Sequence, residues 1–219
     1  MSTALVVGAT GGVGSELVKL LADSKKFTKV VLLARRTVEA AGDNQKFLQK
    51  SVDFEKLEEH SEDIRDLDVA FCALGTTRGQ AGAAGFVKVE HDYVMNTARL
   101  AKENGIKQFV LVSSKGTDEK SMFLYYKTKG LVEKEIEELQ FEKFVVMRPG
   151  LIVAKREKPR MVECIGGMFI RPLRIVSNNF SSSATEIAQA MINATQTEEK
   201  GKMIWDNAKI VEEAKKYEA

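Results

Sequence analysis

The sequence predicts an α/β fold, a doubly wound parallel sheet, on three observations. Short apolar runs alternate in strict succession with longer segments of helical period. Several of those runs lack the polar alternation of a half-exposed strand, as strands covered on both faces do. The first run leads straight into "GATGGVG", a glycine-spaced turn of the kind that joins a buried strand to a helix. A chain of 219 residues with 44% hydrophobic content can bury one large core, and no Pro/Ser-rich linker divides it. One domain over residues 1–219 is expected, with a core over 1–150 and a C-terminal segment over 151–219.

The elements follow in order. "ALVVGA" (4–9) is the first strand, and the glycine turn opens the first helix. "KVVLLAR" (29–35) and "SVDF" (51–54) read as the second and third strands. Residues 55–66 place Leu57 and Ile64 seven apart on one helical face. "DVAFCAL" (68–74) is the fourth strand, with Cys72 packed as a small hydrophobe. "GTTRGQAGAAG" (75–85) is expected to be a long loop serving as a mobile lid. A helix over 92–104 puts Val94, Ala98 and Ala101 on one face and stops at Gly105. "QFVLVSS" (108–114) and "KFVVMRPG" (143–150) complete the strands. Beyond Gly150 come a basic loop "KREKPR" (155–160), a mixed segment over 161–176 expected to wall a pocket, a helix near 184–196 and a final helix from about 208. That tail is expected to cap the sheet on the substrate side. No period of 20 to 50 residues repeats.

Gly8, Gly11 and Gly14 lie between strand and helix, where a turn without side chains lets a pyrophosphate approach the backbone and the helix N-terminal amides. The same turn also serves close strand–helix packing. In this context it predicts a Rossmann-like dinucleotide site. The second strand ends in Arg35 and Arg36 where NAD-binding chains carry an acidic residue for the ribose 2'-hydroxyl. Guanidinium groups pair bidentately with phosphate, so the cofactor expected is NADP(H).

The chemistry is expected from the fifth strand onward. Tyr125 and Lys129 are four apart and share a helical face. An ammonium beside a phenol favours the phenolate, which suits Tyr125 to general acid/base work. A serine hydroxyl from Ser113 or Ser114 would hold the same substrate oxygen. Tyr126 has Gly130 as its fourth neighbour and is read as packing or substrate wall.

Longer motifs add a resemblance. Through "VDFEKL", "FCALGTTRG", "AGAAGFV", "DYV", "SSKG", "FLYYKTKG" and "RPG", the sequence resembles the HIV Tat-interacting protein family of atypical short-chain dehydrogenase/reductases, up to about residue 155. The resemblance implies an NADP(H)-binding Rossmann fold with Tyr125 as proton donor and acceptor and Lys129 on the nicotinamide ribose. It implies that Thr10, Gly11, Gly12 and Val13 line the pyrophosphate and that Arg35 and Arg36 take the 2'-phosphate. Leu74 and Gly75 would flank the cofactor, Asp53 would meet the adenine, and Ile152 and Arg160 would fall where the chain folds back over it. Many of these enzymes carry an Asn after strand four that supports the catalytic Lys through water; the matching position here is Glu90, with Asn96 too far along.

Net charge is +2, so no global field for nucleic acid is present and no nucleic-acid partner is expected. "MSTALVV" lacks a basic leader and no apolar run approaches the ~20 residues that span a bilayer, so a cytoplasmic protein is expected, with nuclear or membrane-surface association as variants. Two cysteines argue against a disulfide framework, and His60 and His91 lack metal-ligand spacing, so no metal is proposed. The function expected is NADP(H)-dependent reduction of a carbonyl or activated double bond on a small molecule. The alternative is an NADP(H)-loaded regulator read by a partner protein. An NAD-dependent sugar-nucleotide epimerase is disfavoured by Arg35, Arg36 and the short C-terminal portion.

Overall fold

The structure, a computed structural model, describes residues 1–153 and 180–218. Its strands in chain order are β1 (Ser2–Val7), β2 (Phe27–Ala34), β3 (Phe47–Ser51), β4 (Val69–Cys72), β5 (Gln108–Val112), β6 (Lys143–Arg148), β7 (Leu151–Val153), β8 (Ser181–Ser183) and β9 (Gly201–Asp206). The helices are α1 (Gly12–Asp23), α2 (Ser61–Ile64), α3 (Arg78–Val87), α4 (Tyr93–Glu103), α5 (Leu124–Glu138), α6 (Ala184–Ala194) and α7 (Asn207–Ala214). Seven strands form one parallel sheet in the order β3-β2-β1-β4-β5-β6-β9, and β7 pairs with β8 in a separate ribbon. The order reverses between β1 and β4, and a doubly wound sheet opens a ligand crevice at that point.

Strand β1 shows why both faces are apolar. Ala4 and Val6 pack with Leu17 and Leu21 of α1 and Ile187 and Met191 of α6. Leu5 and Val7 face the other way, toward Val94 and Ala98 of α4 and Ile136 of α5. A side-chain period of two on a strand sends successive residues into opposite cores. Helix α6 begins with a capping box in which Ser183 and Glu186 satisfy each other's backbone amides, and the buried Lys143 ammonium donates to the Ala194 carbonyl at its far end.

Several expectations are corrected. The third strand is Phe47–Ser51, four residues ahead of "SVDF", because it pairs from Val30–Phe47 to Ala34–Ser51 at the sheet edge, where none of its residues is fully buried. Strand β9 was not expected; it pairs along β6 and is also an edge, so its half-exposed sequence lacks a buried strand's apolar run. The span 55–66 is a 3₁₀ turn over Leu57–His60 followed by one helical turn, although Leu57 and Ile64 are both buried as expected. Most of the expected lid loop is helix α3, broken at Gly82, whose φ of 69° is open to glycine at no steric cost. A helix followed by Gly105 at φ 81°, and the helices from 184 and 207, stand where the sequence placed them. The basic loop 155–160 and the segment 161–176 lie outside the described residues.

Candidate active site

The site is built upward from the turn after β1. Gly8 has φ 80°, and a Cβ there would stand 2.4 Å from the Ala73 carbonyl carbon, so the turn presses against the end of β4. A Cβ on Gly14 would stand 2.1 Å from the Gly8 carbonyl oxygen, which sets how closely α1 meets β1. Gly11 differs. It caps α1, donates its amide to Gly8 O at 2.9 Å, and lines a cleft with Gly8 and Thr10. Gly8 and Gly14 therefore serve packing, and Gly11 leaves the helix N-terminus approachable. Gly12 opens α1, and Val13 is buried in the core beneath the turn.

The cleft has a volume of about 450 Å³ and runs across the switch point between β1 and β4. Arg35 and Arg36 leave the end of β2 exposed, line the cleft, and make no ion pair among the described residues. Leu74 and Gly75 line its far wall with Thr76. Asp53 does not line it; that carboxylate is exposed and accepts the Glu55 amide at 3.0 Å. The neighbouring Phe54 takes the wall instead, stacked on Tyr93 with ring centroids 5.3 Å apart. The Tyr93 hydroxyl donates to Glu55 at 2.6 Å, and Lys88 pairs with the same carboxylate. Phe54, Tyr93, Gln80 and Val89 were missed by sequence reasoning. The "VDF" and "DYV" motifs were the available signal, but in "VDF" the resemblance selects the charged Asp53 and in "DYV" it selects no residue.

Tyr125 and Lys129 stand one turn apart on α5, with the Lys129 ammonium 5.9 Å from the Tyr125 ring centroid. Tyr125 is half-buried, tilted against Phe86 of α3 at 5.8 Å and edge-on to Tyr126 at 5.3 Å. Lys129 sits 2.8 Å from the carboxylate of Glu90, which is 3% exposed. Burial alone would draw the ammonium down, but the charges of Glu90 and Tyr125 outweigh it and hold Lys129 above the ordinary lysine range. The two serines after β5 divide. Ser113 is buried and donates to Glu133, which holds Arg148 in an ion pair. Ser114 is half-buried, and among the described residues its hydroxyl makes only a long bond, 3.3 Å, to the Lys115 carbonyl.

Ile152 lies in β7, paired with Ser182 and 39% exposed. The Asn207 side chain pins this return, accepting from the Gly150 amide and the Ser182 hydroxyl. Arg160 lies outside the described residues. Among the described residues no group of three or more His, Cys, Asp or Glu is placed to hold a metal ion, and no helix is long and apolar enough to cross a membrane.

A parallel sheet with a glycine turn at its switch point defines the class, a Rossmann-like nucleotide-binding fold. Comparison with known proteins narrows this. A family model described as NAD(P)H-binding matches residues 8–198. Protein HTATIP2 of Rattus norvegicus is 40% identical over 202 residues, covering 90% of this chain and 83% of that protein. Protein FMP52, mitochondrial, of Candida albicans is 40% identical over 163 residues, covering 72% of this chain and 70% of its own length. The chain belongs to this NAD(P)H-binding family, with HTATIP2 and FMP52 among its relatives. Among solved structures, MoeE5 in complex with UDP-glucose and NAD superposes with a TM-score of 0.72 at 15% identity, covering 93% of this chain and 75% of that one. The UDP-glucose 4-epimerase of Thermotoga maritima gives 0.70 at 14% identity, covering 99% and 84%. At that identity the likeness is one of fold.

Proposed function

We propose that this protein is an NADP(H)-dependent oxidoreductase that reduces a carbonyl or activated double bond of a small molecule. The observation that carries the reading is the buried contact of Glu90 with Lys129 beside Tyr125, next to a cleft lined by the glycine turn and by two guanidinium groups that make no ion pair among the described residues. A phenol beside a held ammonium has a reason to be there if it moves a proton.

The residues fit the cofactor. Gly11 at the head of α1 leaves backbone amides free for a pyrophosphate, Arg35 and Arg36 offer bidentate donors to a 2'-phosphate, and Phe54 and Tyr93 give an adenine a flat apolar wall. Bound NADPH would supply the hydride. Tyr125 would give its proton to the substrate oxygen as that hydride arrives, and the Lys129 charge would stabilise the phenolate left behind. Ser114, whose hydroxyl is less committed than that of Ser113, would donate to the same oxygen. The substrate is a small molecule, and the compartment in this reading is cytoplasmic. The fungal relatives are named mitochondrial, and subcellular fractionation separates the two.

The test is NADPH oxidation by the purified protein against a panel of aldehydes, ketones and quinones. Tyr125→Phe is expected to lower the rate by a factor of about 10² to 10⁴ with NADPH affinity nearly intact. Lys129→Ala is expected to lower rate and affinity together. Turnover at full rate in Tyr125→Phe overturns the assignment. A regulator read by a partner protein is the second reading, favoured by Met122 and Phe123, 99% and 64% exposed just ahead of Tyr125. It wins if NADPH binds, changes affinity for a partner and is never oxidised.

A further inference from the structure

Glu90 stands where the resemblance implies a neutral Asn, and it lies buried against Lys129 beside Tyr125. It belongs to a π-helical turn, Lys88–Asp92, that joins α3 to α4. Such a turn winds one extra residue into the helix and re-aims the side chains after it, and it is found often at functional sites. Here it sends a carboxylate inward, where Oε1 accepts the Thr76 amide at 2.6 Å and Oε2 lies 2.8 Å from Lys129 Nζ. Among the described residues Oε2 has no other partner, and its contact with Lys129 is chiefly one of charge. Gly75 leaves room for this arrangement, since a Cβ there would stand 3.2 Å from Oε1. Thr76 and Gly75 are both on the wall of the dinucleotide cleft.

We propose that Glu90 is the positioning residue of this site: bridging the cleft wall at Thr76 to Lys129, it fixes the ammonium beside Tyr125. An Asn in this place could orient Lys129 but could not hold its charge against burial. A carboxylate does both. Among the described residues, the titratable groups that face Lys129 are Glu90 from the turn, Tyr125 from α5 and Cys72 from β4. Cys72 is fully buried and its thiol is pushed up to about 12 by desolvation, so it stays neutral through the working range. The sign then follows from charge alone. Removing a negative charge beside two proton-bearing groups eases proton loss from either one, so the first ionisation of the pair moves to lower pH, whichever residue gives up the proton.

The proposal rests on the oxidoreductase reading only for its effect on turnover, and its decisive test needs neither substrate nor cofactor. Glu90→Gln keeps an oxygen for the Thr76 amide and removes the charge; Glu90→Asp keeps the charge on a shorter arm. The full chain is labelled at the tyrosine ring carbon bearing oxygen and at the lysine carbon bearing nitrogen, and titrated by NMR. With four tyrosines in the chain, Tyr125→Phe and Lys129→Arg assign the two signals. In Glu90→Gln the first ionisation of the pair is expected about one to three pH units lower, and in Glu90→Asp the shift should be in the same direction and smaller. If a substrate is found, the falling or rising limb of its pH–rate profile should move by the same amount. A folded Glu90→Gln protein with both signals titrating as in the unmodified chain overturns the proposal, leaving Glu90 a structural filler. Should Glu90→Gln fail to fold, an unshifted pair in folded Glu90→Ala, which also removes the charge, overturns it equally. The shift without turnover in any form would sink the enzyme reading while the positioning role stands; turnover that depends on Tyr125 without the shift does the reverse.

Discussion

Replacing Arg35 tests cofactor choice directly. Arg35 and Arg36 both line the cleft at the end of β2, and neither is tied up in an ion pair among the described residues. A hydrogen bond to a charged group contributes about 1.5 to 3 kcal/mol, and exposure to solvent places these two at the lower end through screening. One guanidinium is then worth about a tenfold change in affinity, and both together about a hundredfold. NADH lacks the 2'-phosphate and should barely notice either change. Calorimetric titration of NADPH and NADH into the unmodified protein, Arg35→Ala and the double alanine variant reads this out, and the NADPH advantage should shrink as salt rises. Equal affinity for the two cofactors in the unmodified protein refutes the reasoning. So does an equal loss for both in the variants.

Other predictions follow from the same geometry. Gly14→Ala drives a Cβ to 2.1 Å from the Gly8 oxygen, so it should destabilise the fold by about 1 to 3 kcal/mol. Gly11→Ala meets that oxygen only at 3.2 Å and should fold while weakening NADPH. Thermal unfolding beside a cofactor titration separates the two, and an unchanged melting temperature for Gly14→Ala contradicts the packing role. His91 is held between Asp92 and Glu135; burial opposes its charge, but those two carboxylates prevail and raise its pKa. A raised folded pKa means that this stabilisation is fully present below the unfolded histidine value near 6.5 and is lost as pH rises through the higher folded value. His91→Gln should therefore lower the melting temperature at pH 5.5 and change it little at pH 8.5; equal losses at both would show that the charge is irrelevant.

Local pattern reached a long way into this protein. The glycine turn, the paired arginines and the Tyr125–Lys129 spacing were legible because each depends on neighbours within one turn or one strand end. The buried strands were legible because covering both faces demands an unbroken apolar run. Edge strands β3 and β9 make no such demand, and α3 carries glycines at 79, 82 and 85 that speak against a helix, so packing over the cleft decided it. Tertiary structure also chose between adjacent residues. Ser113 and Ser114 look alike in sequence, but where the chain leaves β5 Ser113 is turned to Glu133 on α5 and the other hydroxyl is left less committed. In the same way Asp53 stands outside the cleft and Phe54 on its wall. What no local rule could supply is the contact of Glu90 with Lys129: the two are far apart in the chain, and only the packing of α5 against the turn between α3 and α4 brings carboxylate and ammonium to 2.8 Å, where burial makes each require the other.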